Sequence, residues 1–133
     1  MNDFNLPQML TELPSLILIH QTTYNNAAYA LDRLRIMNAE REAEITIQAY
    51  TTALFDDGKG SNRPAKNEEE RKVAAQLMAS RDPRLQRLSR KIAKAKQTLD
   101  AAQAQLDDSR ATQTNCREIA RLTVAQLNYA RSE

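Results

Sequence analysis

The chain has 133 residues, of which 41% are hydrophobic and 27% charged, and its formal net charge is +2. Two glycines, four prolines and no tryptophan leave little material for hairpins or phosphate-cradling loops, so the composition argues against all-β and Rossmann-like domains. The longest aliphatic run, Leu16–Ile19, is far shorter than the roughly 20 residues that span a bilayer. Asp3 and the absence of an early basic residue are not typical of a secretory signal. We therefore expect a helical protein that does not enter membranes.

The first predicted helix begins near Pro14, because proline suits an opening turn in which its missing N–H has no partner to lose. This helix runs without proline or glycine to about Phe55, which gives the range 14–55. Residues 56–66 hold both glycines of the chain and predict the one real loop.

Two further helices are marked by their capping residues. Asn67 followed by Glu70 predicts an N-cap with an acidic third position, which opens a short helix over 67–80. The pair Asp82-Pro83 predicts a second N-cap with proline at the first helical position. A long helix over 83–131 follows.

Apolar periodicity predicts how the long helices pack. From Leu85 the last helix keeps an uninterrupted 3-4 apolar spacing until Ser109, which is typical of a coiled-coil seam. The seam positions are Leu85, Leu88, Ile92, Ala95, Leu99, Ala102, Leu106, Ser109, Gln113, Cys116, Ala120, Thr123, Leu127 and Ala130. The first helix has a looser series from Ile17 to Phe55. Residues 1–133 thus form one all-α domain, a long antiparallel helical hairpin (coiled coil) with a short helix in its connecting tip. In this hairpin Phe55 lies near Leu85 and Tyr24 near Cys116.

A second apolar stripe lies on a flank of the first helix's seam and consists of Ile36, Ala43, Ile47, Tyr50 and Leu54. One interpretation is that the short helix and the N-terminal residues cover it. The other, which we favour, is self-association into a multi-helix bundle, with a dimer as the favoured homo-oligomer.

Basic residues concentrate around the predicted tip. Residues 59–96 hold twelve basic and four acidic side chains, a net charge of +8, so the rest of the chain is acidic. We call five of them, on the outer side of the last helix, the basic ridge: Arg84, Arg87, Arg90, Lys91 and Lys94. We expect Lys59, Arg63 and Lys66 to act as a mobile supplement. No aromatic residue lies between Lys59 and Lys96 to stack on unpaired bases.

This charge pattern predicts a non-enzymatic protein whose basic tip binds DNA or RNA, or a nucleoprotein, through phosphates and without sequence specificity. In the simpler interpretation, these basic residues form a solvated face that only maintains solubility. An alternative function is a protein–protein adaptor or an inhibitor of a host complex, with Ile36, Ile47, Tyr50 and Leu54 as its partner-binding residues.

No catalytic residues, metal site or cofactor site can be assembled from this sequence. His20 is the only histidine and has no carboxylate three or four residues away. Cys116 is the only cysteine, which excludes an intramolecular disulfide, and it falls at a seam position where a thiol behaves as a small hydrophobe. We therefore expect both side chains to be packing residues.

Two polar residues interrupt the seam of the first helix. Asn38 and Arg41 are expected to face Ala102 and Leu99. Polar seam residues commonly fix register or partner number. In the other interpretation, which we prefer, the helix rotates slightly and Arg41 extends its head group to water over an apolar stem.

The stretch from Lys66 to Lys72, then Leu77, then Asp82-Pro83 leading into a heptad helix resembles small, mostly uncharacterised helical-hairpin proteins of bacteriophages and prophages. The resemblance covers about residues 64–130. It implies an accessory protein of a mobile element, acting in the cytoplasm of a bacterial host, and it brings no catalytic residues.

Overall fold

The chain folds as an all-α helical hairpin, as its composition predicts. The structure is a computed structural model that describes residues 5–52, 54–56, 62–64 and 67–132, with the backbone alone described for 52, 54–56 and 62–64. Its elements are α1 (Leu6–Thr52), β1 (Leu54–Asp56), β2 (Asn62–Pro64), α2 (Glu68–Arg81) and α3 (Pro83–Ser132). Helix α1 packs against α3. Among the described helices, none has an apolar stretch sufficient to cross a lipid bilayer.

Helix α1 begins at Leu6, eight residues before the expected start near Pro14. The side chain of Asn5 accepts a hydrogen bond from the backbone N–H of Gln8 at 3.1 Å, which satisfies one of the unpaired donors of the first turn. Pro7 lies in that turn, where a missing N–H costs nothing. Pro14 lies inside the helix, where its ring removes one backbone hydrogen bond. The start signal is therefore Asn5 with Pro7.

The connection between α1 and α2 contains a short antiparallel strand pair. Leu54 pairs with Pro64 and Asp56 with Asn62, so the ends of the expected loop over 56–66 are held together by backbone pairing. Helix α1 ends at Thr52, a little before the expected end near Phe55. Both glycines of the loop lie outside the described residues.

The two predicted helix starts after the loop are confirmed by their hydrogen bonds. The side chain of Asn67 accepts from the backbone N–H of Glu70 at 2.8 Å, and α2 begins at the next residue. The carboxylate of Asp82 accepts from the backbone N–H of Leu85 at 2.9 Å, with Pro83 at the first position of α3. Each cap acts within three residues, which is why the local sequence predicts it.

The residues of the hairpin group into two compact units. One unit, which we call the terminal unit, comprises residues 1–28 with 97–133. Its buried side chains include Leu13, Ala102, Leu106 and Cys116. The other, the 29–96 unit, buries Leu31, Ile45, Ala49, Ala74, Leu85 and Leu88.

The pairing register of α1 and α3 differs from the prediction by about ten residues. In the 29–96 unit Ile45, ten residues before Phe55, packs with Leu85 and Leu88. In the terminal unit Nδ1 of His20 lies 2.7 Å from Oγ of Ser109, so His20 is opposite Ser109. The prediction that Phe55 lies near Leu85 and Tyr24 near Cys116 is therefore wrong.

The cause of this shift is the position of α2. Met78 and Ala79, in the last turns of α2, pack against Ile45 and its neighbours. Because α2 packs beside the end of α1, α3 starts beside Arg41 and Ile45, two to three turns before the last residue of α1. The sequence predicts this short helix in the tip but not where it packs.

The last turns of α3 are exposed, from Arg121 to Ser132. With Ser109 opposite His20, the first residue of α1 reaches only to about residue 123 of α3. The predicted seam positions Thr123, Leu127 and Ala130 therefore lie at or beyond the start of α1.

Leu106 is the most deeply buried seam residue in the terminal unit, since only 1% of its surface is exposed, so its replacement tests the seam packing most directly. Replacing it with alanine leaves a cavity, and we expect the free energy of unfolding to fall by about 2–5 kcal/mol. Urea unfolding followed by circular dichroism measures this loss. Leu122→Ala is the matched control, because Leu122 is 51% exposed on the same helix. Equal losses in the two variants would contradict the assigned packing.

Candidate nucleic-acid interface and its supporting junction

The basic ridge lies along one side of the first turns of α3. Arg84, Arg87, Arg90, Lys91 and Lys94 are all exposed. The neighbouring residues Leu85 and Leu88 are buried in the 29–96 unit, so the packing of α3 turns the ridge away from the core.

Four of these cations form no ion pair with any described residue. No carboxylate in the described part of the chain lies within ion-pair distance of Arg84, Arg87, Arg90 or Lys91. A row of cations without competing carboxylates attracts polyanions and is strongly screened by salt.

The three supplementary cations are not brought to the ridge by any described geometry. Lys59 and Lys66 lie outside the described residues, and Arg63 lies in β2, where the backbone alone is described. They stay predictions.

A carboxylate at the start of α3 joins the three helices of the 29–96 unit. Arg41 of α1 donates from Nε to Oδ2 of Asp82 at 3.1 Å and from Nη2 to Oδ1 at 2.7 Å. The same carboxylate caps α3 at Leu85, and the Asp82 N–H donates to the carbonyl of Ala79 in α2 at 3.2 Å. We call this arrangement the Asp82 junction.

Arg41 therefore faces Asp82, and the prediction that it faces Leu99 is wrong. Its guanidinium is not a head group extended to water, because it makes a two-pronged ion pair with a side chain that is only 10% exposed. Nη1 of Arg41 also donates to Oε2 of Glu44 at 3.0 Å. Asn38 is half-buried and donates from Nδ2 to Oε1 of Glu42 on its own helix at 3.1 Å.

The junction holds Asp82 in its charged form. Hydrogen bonds from Arg41 lower the pKa of Asp82 to about 2, with the Leu85 N–H and the charge of Arg84 acting in the same direction and partial burial opposing them. The hydrogen bonds to Asp82 and Glu44 raise the pKa of the Arg41 guanidinium above its ordinary value. The pair is therefore ionised throughout the physiological range.

Two of the predicted partner-binding residues, Ile36 and Ile47, lie on the outward face of α1 and not on a flank of the seam, whereas Tyr50 lies beside α2, with the Arg71 guanidinium 6.0 Å from its ring centroid. Ile36 is nine residues, or two and a half turns, before the buried Ile45, so it points to the opposite side. Ile36, Ile47 and Tyr50 are 50%, 66% and 40% exposed. Leu54 lies in β1, and its side chain is outside the described part.

His20 and Cys116 lie in the packing of the terminal unit. His20 is half-buried and hydrogen-bonded to the buried Ser109, while Cys116 is a free, buried thiol. The described residues contain no group of three or more His, Cys, Asp and Glu side chains that could hold a metal ion.

Comparison with family models, curated proteins and solved structures finds no match for this chain. The resemblance to phage-encoded hairpins therefore stays an expectation, and the functional argument depends on the geometry of the ridge, the junction and the outward face of α1.

Replacing Asp82 with asparagine separates the two roles of the junction, because asparagine also caps helices well but carries no charge. The ordinary pKa of an aspartate is 3.8, and in the fold the pKa of Asp82 is lowered to about 2. The ionised carboxylate therefore stabilises the fold fully at pH values above 3.8, and this stabilisation is lost as the pH falls through about 2. We expect Asp82→Asn to be less stable than the wild type at pH 7 and the difference to close between about pH 4 and 2.

Thermal unfolding of both proteins from pH 7 to pH 2 measures this difference. Asp100→Asn is the control, since Asp100 is exposed on the same helix. A gap between wild type and Asp82→Asn that is as large at pH 2 as at pH 7 would show that the charge of Asp82 is not what stabilises the junction.

Proposed function

We propose that this chain is a non-enzymatic, self-associating helical hairpin whose basic ridge binds nucleic acid or a nucleoprotein through phosphate groups. The observation that carries the proposal is the row of Arg84, Arg87, Arg90 and Lys91, exposed and without an ion-pair partner among the described residues. The resemblance to phage and prophage hairpins extends the proposal to an accessory protein of a mobile element in the bacterial cytoplasm.

The dimensions of the ridge suit a phosphate backbone. Arg84 and Lys94 are ten residues apart on one helix, or about 15 Å. Duplex DNA carries one negative charge for about every 1.7 Å of its axis, so several phosphates lie within reach of this row. Cations that neutralise them release condensed counterions, which drives binding at low salt.

The packing around the ridge disfavours reading of the base sequence. A single α-helix with side chains is about 10–12 Å across and just fits a major groove about 12 Å wide. In the 29–96 unit α3 is packed against Ile45 of α1 and Met78 of α2, so it does not enter a groove alone. Contacts to phosphates, which carry no base information, are what this arrangement supports.

The second candidate function is a protein–protein adaptor or an inhibitor of a host complex. It is favoured by the exposure of Ile36 and Ile47 on the outward face of α1 and of Tyr50 beside α2. An adaptor that acts through this face would be insensitive to loss of the ridge charges, which separates the two candidates.

The test is fluorescence anisotropy with labelled single- and double-stranded 30-mers at 50 and 200 mM salt. Five phosphate contacts on duplex DNA predict a log–log salt slope of about −4 to −5. Replacing Arg84, Arg87, Arg90, Lys91 and Lys94 with glutamine should leave helicity intact and abolish binding.

A matched control removes the same number of exposed cations away from the ridge. It changes Arg35, Arg110, Arg117, Arg121 and Arg131 to glutamine, all of them exposed and outside residues 59–96. This variant has the same net charge as the ridge variant but should retain most of the affinity. Binding that survives in the ridge variant, or no binding of the wild type even at 50 mM salt, would overturn the proposal and leave the ridge as a solvated surface.

A further inference from the structure

The outward face of α1 in the 29–96 unit carries a regular row of exposed side chains. Its members follow one another at alternating spacings of four and three residues, and we call them the outer row: Tyr29, Arg33, Ile36, Glu40, Ala43 and Ile47. Tyr29 is 63% exposed, comparable to Ile36 and Ile47. A helix face directed at solvent is ordinarily polar, whereas large apolar side chains at heptad spacing are typical of a helix that packs on another helix.

The two charged members of the outer row lack a counter-charge within the described part of the chain. The Arg33 guanidinium lies 5.8 Å from the ring centroid of Tyr29, and its Nη1 donates to the Tyr29 hydroxyl at 3.2 Å, but no described carboxylate pairs with it. Glu40 has no described cation within ion-pair distance. Because they are seven residues apart, about 10.5 Å along the helix, they do not compensate each other.

We propose that the outer row is the interface between two copies of this chain, whose α1 helices pack antiparallel about a two-fold axis level with residue 38. The inference rests on the self-association in the proposed function and names its surface. In this register Tyr29 meets Ile47 of the second copy, and Ile36 and Met37 meet their own counterparts near the axis. Arg33 lies within about 5 Å, measured along the axis, of Glu40 of the second copy, and the symmetry repeats this pair.

Charge complementarity selects the partner and the antiparallel direction, and the contact of Tyr29 with Ile47 of the second copy sets the register. A parallel pair would set Arg33 against Arg33 and Glu40 against Glu40, which is repulsive. An antiparallel pair centred between residues 41 and 42 would crowd Glu40 and Glu44 of both copies together. Centring at residue 38 places opposite charges together on both sides of the axis, while Glu44 remains bonded to Arg41. A surface that complements itself in this way fits a second copy of the same chain.

The test uses analytical ultracentrifugation of the full chain over about 1–200 µM. Arg33→Glu and Glu40→Arg each convert two attractive contacts into two repulsive ones, so each single variant should weaken the dimer at least tenfold. An equimolar mixture of the two variants should dimerise again. In the mixed dimer the introduced carboxylate of one variant faces the introduced guanidinium of the other, and the unchanged Glu40 of the first faces the unchanged Arg33 of the second. Arg35→Glu, an exposed change on the same helix but outside the outer row, should leave the dimer unchanged.

Each result has a defined meaning. Restoration of the dimer in the mixture supports the antiparallel outer-row interface. A dimer that is unaffected by both single variants overturns this interface while self-association stands. A wild type that is monomeric over the whole concentration range overturns both the outer-row interface and self-association. This outcome includes the case in which the outer row binds a different protein. Arg33→Glu should still bind the 30-mer in the anisotropy assay, since the ridge is unchanged in that variant, but with the lower apparent affinity of a single ridge.

Discussion

The arrangement of the 29–96 unit depends on the carboxylate of Asp82. The backbone N–H of Asp82 donates to Ala79 at the end of α2, the carboxylate accepts from Leu85 at the start of α3, and both carboxylate oxygens accept from Arg41 of α1. Removing a charged pair from water carries a desolvation penalty that good geometry only partly offsets, so such a pair specifies structure more than it stabilises it. Here the pair specifies the register of α1 and α3, because Asp82, directly before the first residue of α3, is held at Arg41 of α1.

The junction also determines the electrostatics of the basic ridge. Asp82 is two residues before Arg84, whose charge helps to lower the pKa of Asp82. An unpaired carboxylate at this position would be a ready counter-ion for the first cation of the ridge. Because Arg41 engages both of its oxygens, Asp82 is compensated from the side of α1. The cations of the ridge therefore remain available to an external anion. The proposed binding surface thus depends on the Arg41–Asp82 ion pair, which is not part of that surface.

What the sequence predicts here is local, and what it misses is non-local. The caps at Asn67 and Asp82 act over three residues, and the buried positions Leu85, Leu88, Ala102 and Leu106 follow one helix's period, so both could be predicted. Arg41 and Asp82 are 41 residues apart, and no spacing rule connects them. The predicted register of α1 and α3 is wrong for the same reason, since the register also depends on where α2 packs.

The outward faces of the two long helices differ in chemistry, and this difference is what the two proposals, self-association and phosphate binding, depend on. Helix α1 directs Tyr29, Ile36 and Ile47 outward, on the side opposite its contact with α3, while α3 directs the cations of the ridge outward. A dimer formed through α1 therefore leaves the ridge of each copy uncovered. Two ridges on one particle make the second phosphate contact intramolecular, which raises the apparent affinity without any new contact or base preference. Self-association and non-specific binding then support each other, because doubling a weak, sequence-independent site is how a small basic surface gains affinity for a long polyanion.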